Sequence, residues 1–483
     1  MHTVVFGRGI LALTSAFRLA RRAKDGDRIT IVGSQDRTGS ASLAAGAMLN
    51  SFAEIDVGAL DSDLGLYHFE LSHRASRMWP QFENEIIQAA GDSLPAGCTK
   101  CQGCTGGGCY SDGTYIINNT AADEIDDQNF DAIIKAMEDF NEPFAHVSPA
   151  DIPNYRPSQR HRATRAVLLH NEGWFNPRLM LEKLENALLK DPNVHFINSM
   201  VKRFVKSAAL IDHAELEDGT SIAGDKYLLA TGANVSSILN ASDLGIGVQR
   251  VFYGSGISLE IKSPDAIHTK CIRTPNRGLA CGLYSVPYFT DPNQINDHIL
   301  IGATNHISAT PVLGARLISI ESLMRAVMEQ INTEFYRAEL VRVNVGWRPT
   351  SQDTYPLIGP TSISNLLIAS GTKRDGFHMS PLLSEILTAM IYDEPVDERF
   401  SIFAPERKPI RDLTREQAIS KTVNHQISAA YQHDFMPAKD RMVDDLKAYY
   451  RDQLERLHDK VGAYDWGIPP EMTGMYHYGH AVP

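Results

Sequence analysis

The chain opens with an apolar run, Thr3-Val4-Val5-Phe6, a Gly-Arg-Gly turn, and then a stretch from Leu11 to about Ala23 that reads as an amphipathic helix. A second apolar run, Ile29 to Val32, follows where a strand–helix–strand unit needs it. Much later KYLLATGA (Lys226 to Ala233) repeats the pattern, an apolar strand ending in a turn of small residues. Near the C-terminus Met442, Leu446, Tyr450, Leu454, Leu457 and Val461 recur at steps of three or four and predict an amphipathic helix. LTREQAISKTVNHQISAAYQH predicts another before it, and the proline-broken WGIPPEMTGMYHYGHAVP is expected to run as an extended arm. This appendix, 400–483, must dock its apolar faces on the body, as a lid, or on another subunit.

Residues Gly7-Arg8-Gly9-Ile10-Leu11-Ala12 fit the G-x-G-x-x-G/A pattern. The first glycine turns the chain out of the strand, the second admits a pyrophosphate to the backbone, and the small third residue lets helix and sheet pack closely. The helix N-terminus offers free N–H groups and a positive dipole end to the phosphates. With a strand before and a helix and strand after, the loop reads as a dinucleotide site. One feature departs from the pattern. The acid that holds ribose hydroxyls is expected at the end of the second strand, where this chain has Gly33, with Asp36 the nearest acid. Either Asp36 reaches back, or backbone and water hold the ribose. The small-residue stretch GSASLAAGAML (Gly39 to Leu49) permits close approach of something flat and large.

Hydrophobic residues make up 43% of the 483, charged residues 22%, and the net charge is -12, so a soluble globular protein of two or three domains is expected. An acidic chain with no basic stripe argues against a nucleic-acid partner. No apolar run approaches the roughly 18 residues of a membrane span. The strand signal begins at once, so no removable signal peptide is expected and a cytoplasmic setting is the default.

The C-terminal third carries VGWRPTSQDTYPLIGP (Val345 to Pro360) and NLLIASGTKRDGFHMSPLLSEILTAMI (Asn365 to Ile391). With the opening loop, these segments resemble the D-amino-acid oxidase / glycine oxidase superfamily of FAD-dependent amine oxidoreductases. Arg348, Pro349, Asp353, Pro356, Ile358 and Gly359 occupy the places of an R-P-x-x-x-D-x-x-P-x-I-G segment, and Gly371, Gly376 and Pro381 those of the flavin-side loop. YSDGTYIIN (110–118), EGWFNPRLMLEKLENAL (172–188), GLYSVPYF (282–289) and HILIGATNH (298–306) are similar to other family segments, in the right order. The resemblance implies a mixed α/β chain: a discontinuous Rossmann-like FAD-binding domain (1–75, 170–245, 345–395), an inserted antiparallel-sheet substrate domain (76–169, 246–344) and the helical C-terminal extension.

It further implies FAD contacts at Gly7, Gly9, Ile10, Leu11, Ala12, Ser42, Ala44, Ala45, Gly46, Thr231, Gly232, Gly371, Arg374, Gly376 and Phe377. An amine or amino-acid substrate needs a carboxylate anchor, for which Arg is suited by its fixed charge and two-pronged geometry. Arg348 occupies the family's place for it, the other reading being an ion pair with Asp353 or a C-terminal acid. Tyr284 and Tyr288, four apart on one strand, share a face, and Tyr284 is the expected substrate contact of the two. Lys373 and Arg374 are expected near the flavin ring, stabilising negative charge, or else as a surface pair. His378 is expected either to meet the amine as a neutral base or to be packed and hydrogen-bonded. Met48, Leu49 and Tyr253 are expected to line the substrate cavity.

Outside the family pattern, Cys98, Cys101, Cys104 and Cys109 fall within twelve residues in a glycine-rich loop. Their spacing leaves open a metal or iron–sulfur cluster, redox-labile disulfides, or free thiols. A cluster would draw electrons from the flavin to a partner, making a dehydrogenase subunit. The expected function is therefore oxidation of a C–N bond, with electron transfer through the cysteine loop, or non-catalytic flavin binding, as the alternatives. The extension is the expected contact for a homo-oligomer or an electron-acceptor partner.

Overall fold

The computed structural model describes residues 1–91, 111–263, 268–280, 282–288, 297–432, 435 and 441–483. The cysteine loop, and with it the expected metal or cluster site at Cys98, Cys101, Cys104 and Cys109, lies outside the described residues.

A six-stranded sheet carries the opening loop. Its order is Leu357–Pro360, Leu366–Ser370, Lys226–Leu229, His2–Phe6, Arg28–Val32 and Val194–Ile197, all parallel except the first pair. Alternation along His2–Phe6 sends Val4 and Phe6 to one face, against Phe204 and Tyr227, and Val5 to the other, against the helices. A parallel sheet buried on both faces reads as the continuous apolar run seen in the sequence. The helices Ile10–Arg22, Asp63–Ala90, Pro177–Leu189 and Ser380–Ile391 pack on that second face. Asn176 starts the third of these by accepting from the Arg178 and Leu179 amides at 3.0 and 3.3 Å, ahead of a proline in the first turn.

The second large sheet has ten strands among the described residues. Val251–Lys262 pairs along its whole length with Glu339–Ser351, and His298–Gly302, Tyr284–Tyr288, Cys271–Arg273, Ser111–Asn118 and Arg165–Trp174 follow. It is antiparallel except where Cys271–Arg273 runs parallel to Ser111–Asn118. The two-residue strand Met48–Leu49 pairs with Trp174 and Gly173, tying the small-residue stretch to this sheet's edge. The boundary expected at 75/76 falls inside the helix Asp63–Ala90. Trp79, Phe82 and Ile86 of that helix are buried in the core of the first half, whereas its Phe69 packs with Ile116 and Phe130 of the second.

The C-terminal extension contains the helices Arg415–Gln432 and Arg441–Val461. The last stretch is less extended than its prolines suggest, turning through Pro470–Met472 into a short helix, Thr473–His477. Leu457, Trp466, Ile468, Met472, Met475 and Tyr476 pack on Phe252 and Ile307 of the large sheet, so this end docks on the body. Leu454 and Leu457 are buried, but Met442 at the outer end of the same apolar stripe is exposed.

Candidate functional site

Between the two sheets lies a cavity of about 790 Å³, towards the upper part of the range for small-molecule sites. It runs from the opening loop to Arg348. Gly7, Gly9, Ile10, Leu11, Ser42, Ala44, Ala45, Gly46, Thr231, Gly232, Gly376 and Phe377 all line it; Ala12 and Gly371 do not.

At the nucleotide end, Gly7 has φ +123°, and a Cβ there would lie 2.3 Å from the Ala230 carbonyl oxygen. Ser42 folds over the start of the helix and accepts from the Ile10 amide at 3.1 Å. Gly33 has a physical reason to carry no acid: a Cβ would sit 2.7 Å from that of Arg8. Asp36 lines the cavity nearby. Arg8 and Arg37 both pair with Glu185, and the Arg37 Nε donates to the Arg8 carbonyl at 2.9 Å, a brace with no sequence signature. The Thr231 hydroxyl is buried and has no hydrogen-bond partner among the described residues. A glycine-lined wall at a helix N-terminus, a buried hydroxyl with no partner and a cavity of this size fit the ADP part of FAD.

The small-residue stretch lines the cavity from Gly39 to Ser42 and from Ala44 to Met48. The flat groups against two of its glycines are the chain's own rings. A Cβ on Gly39 would meet the Trp347 indole at 2.3 Å, and one on Gly46 the Tyr284 ring at 2.8 Å. Tyr284 is held between Gly46 and Gly302, buried, with its ring on the cavity wall.

Arg348 lies over Gly256, where a Cβ would be 2.0 Å from Nη1, and Nη1 donates to the Thr304 carbonyl at 2.8 Å. The alternative pairing with Asp353 is not made. Asp353 is taken by Arg407 and by the Ile410 and Tyr355 amides at 2.7 and 3.0 Å. Among the described residues Arg348 has no acidic partner, and it faces the cavity.

Lys373 and Arg374 line the cavity and are not a surface pair. Lys373 meets Glu471 of the C-terminal extension at 2.8 Å, and Arg374 meets Glu54 at 3.3 Å. Glu54 is shared with buried Arg273 at 2.6 Å. Burial pushes the Glu54 carboxyl up, but Arg273 and Arg374 outweigh it and hold it below the ordinary range. His378 lines the cavity and is packed. Its Nε2 lies 2.9 Å from the Ser72 carbonyl, an oxygen that only accepts, so the ring hydrogen sits on Nε2. Nδ1 then carries the lone pair, with no partner among the described residues. Burial lowers its pKa, disfavouring the protonated ring.

Met48 lines the cavity, but Leu49 turns into the core of the nucleotide half because neighbours on a strand point to opposite faces. Tyr253 and Tyr288 lie off the cavity. Tyr253 packs edge-on to Trp347 with ring centres 5.6 Å apart. Tyr288 is four strand residues beyond Tyr284, roughly 13 Å at the usual rise, and its hydroxyl lies by Arg178 with its pKa pushed up to about 12 by burial. Sequence reasoning missed Asn50 and Glu54. Asn50 is 4% exposed, lines the cavity, and neither of its amide atoms has a partner among the described residues. Its period-two spacing from Met48 was the available signal. The segment is held rigid by buried Glu172, which accepts from the Ser51, Phe52 and Ala53 amides at 2.7, 2.6 and 3.2 Å.

No group of metal-ligating side chains occurs among the described residues, and no helix there is long and apolar enough to cross a membrane.

The family described as DAO, FAD dependent oxidoreductase, matches residues 2–390. Glycine oxidase from Geobacillus kaustophilus is similar in fold, with a TM-score of 0.68 at 17% identity over 84% of this chain and 98% of that one. Iminodiacetate oxidase from Chelativorans sp. BNC1 gives 0.67 at 18% over 84% of this chain and 100% of its own. A curated relative, the tRNA 5-methylaminomethyl-2-thiouridine biosynthesis bifunctional protein of Idiomarina loihiensis, is 22% identical over 48% of this chain. The chain spans about a third of that relative's length, 35%.

Proposed function

The chain belongs to the DAO family of FAD-dependent oxidoreductases, and from that premise we propose that it oxidises the C–N bond of an amino acid or related carboxylated amine. Arg348 carries the proposal: a cation on the cavity wall, seated over a glycine, bonded to a carbonyl and with no acid to neutralise it among the described residues. A half-buried guanidinium in that state is stabilised by an incoming carboxylate, and its fork fixes the substrate's orientation as well as its position.

FAD, when bound, supplies the two-electron acceptor. The residues of the chain supply the rest. Arg348 binds the carboxylate, and the Tyr284 ring, clamped between Gly46 and Gly302, limits where the carbon skeleton lies. The amine must be neutral to be oxidised, and the base we assign is His378, a lining residue whose Nδ1 is buried and has no partner among the described residues. The imine product hydrolyses to a carbonyl compound and ammonia or an amine. Oxidases of glycine and of iminodiacetate among similar folds support a small carboxylated amine.

The reading includes a cytoplasmic setting, in keeping with a free, buried thiol at Cys271. An oligomeric or electron-acceptor contact of the extension is assigned to the exposed outer half of Arg441–Val461, around Met442 and Tyr449.

The test is an anaerobic absorbance titration of the FAD-loaded protein with amino acids and N-alkyl glycines. Loss of the oxidised-flavin band with one class of amine, abolished in Arg348→Ala, is the expected result. Bleaching that is equal in wild type and variant, or absent with every carboxylated amine, overturns the proposal.

A further inference from the structure

Residues 391–483 lie beyond the segment that matches the family, yet one of their side chains reaches the cavity wall. Glu471 sits on the turn Pro470–Met472, fixed by Ile468 and Met472 in the apolar cluster against Phe252 and Ile307. Its carboxylate pairs with Lys373 at 2.8 Å and accepts from the Asn305 side-chain amide at 3.4 Å; its side chain is 10% exposed and that of Lys373 19%. Two further contacts tie the extension to the same region. Lys421 meets Asp56 at 3.5 Å, and His425 Nδ1 accepts from the Leu279 amide at 3.3 Å.

The charges at the substrate end are consequently uneven. Arg374 has Glu54, Lys373 has Glu471, and Arg348 alone of the three faces the cavity with no acid among the described residues. An uncompensated second cation would favour a second anionic group on the ligand, because Coulomb interactions in a site shielded from water are strong.

We propose that Glu471 is a specificity-determining residue supplied by the C-terminal extension: by neutralising Lys373 it leaves Arg348 as the single open anion anchor and selects substrates with one carboxylate over those with two. This rests on the reading of Arg348 as the carboxylate anchor. Glu471 acts through Lys373 and is a positioning residue.

The experiment is isothermal titration of the FAD-loaded protein with acetate and with malonate, which needs no turnover. Four proteins form a charge series: wild type, Glu471→Gln, Lys373→Met and the double variant. Malonate affinity relative to acetate is expected to rise about fivefold to tenfold in Glu471→Gln, to fall in Lys373→Met, and to return to the wild-type ratio in the double variant. A ratio that stays constant while all three variants bind both anions overturns the proposal, because a merely structural bridge would not order the series by charge. If neither anion binds wild type, or if Arg348→Ala binds acetate as wild type does, the anchor reading itself fails. Should Glu471→Gln fail to fold, Lys373→Met and the double variant still give different expectations, a lowered ratio and the wild-type ratio, and equal ratios in those two overturn the proposal.

Discussion

At one end of the cavity the wall is made of a few short stretches, residues 7–11, 32–34, 36–42, 44–46 and 230–234, rich in glycine, alanine and serine. At the other end Asn50, Tyr284, Arg348, Lys373 and, through Lys373, Glu471 come from separate segments and present side chains. The first wall works by leaving atoms out: Gly7 and Gly33 are where a Cβ would strike backbone or a neighbour's stem, at 2.3 and 2.7 Å. The second works by charge, and each cation there is defined by which acid reaches it. A wall of glycines tolerates almost no substitution, whereas a wall of paired charges can be retuned one residue at a time.

The sharpest way to break the nucleotide wall is Gly7→Ala. The methyl would overlap the Ala230 carbonyl at a φ of +123° that L residues rarely adopt. We expect protein purified without flavin absorbance, and a loss of stability of about 3 kcal/mol or more. Retention of FAD at the wild-type stoichiometry would show that this loop does not hold the nucleotide. At the charged wall, Arg348→Ala is expected to lower kcat/KM for a carboxylated amine by about 100-fold, the size of a lost charge-assisted pair. Flavin content should stay unchanged, which separates the two walls. Steady-state kinetics and absorbance on one preparation read both.

A third test addresses the junction with the extension. Burial, reinforced by Lys421 and Arg374 against the opposing pull of Asp56, holds the His425 pKa down at about 4. The native state therefore binds fewer protons than the unfolded chain between pH 6.5 and 4. Stability from this group is complete above pH 6.5, falls as pH drops through that window and levels off below about 4. The swing is about 3 kcal/mol. His425→Gln should flatten that part of the profile, measured by urea midpoints at pH 7, 5.5 and 4. An unchanged slope would show that His425 is not the group responsible.

The smallest effect is expected on the outer surface of the extension. Glu416 is paired with Arg451 at 2.8 Å but is largely exposed, so solvent screening discounts its depressed pKa. Glu416→Ala should cost less than about 1 kcal/mol by thermal melting and leave kcat/KM alone. A larger loss would mean that this face is covered by something other than water.

The elements legible in the sequence were those whose physics is local. Apolar runs with a period of two or 3.6 gave the three central strands of the first sheet, the helix Ile10–Arg22 and the two long helices of the extension. Glycines at fixed offsets gave the loop, and the segment around Arg348 was readable through family resemblance. The misplacements share a cause. Tyr288 was on the correct face of its strand but four residues too far along it, and Leu49 was the neighbour of a cavity residue on a strand that alternates. Tyr253 was spent on packing against Trp347. The glycines of 39–46 did signal a flat partner, but a run of small residues does not say whether the ring is a ligand's or the chain's own.

By itself, then, the sequence determined where backbone must come close and where apolar faces must be buried, because both follow from the residue and its immediate neighbours. Only the tertiary structure decided which charges meet. Arg348 is open because Arg407 takes Asp353, and Lys373 is closed because the packing of Trp466, Ile468 and Met472 brings Glu471 to it from almost a hundred residues away. Coulomb energy depends on distance in space, and chain position says almost nothing about that until the fold has formed.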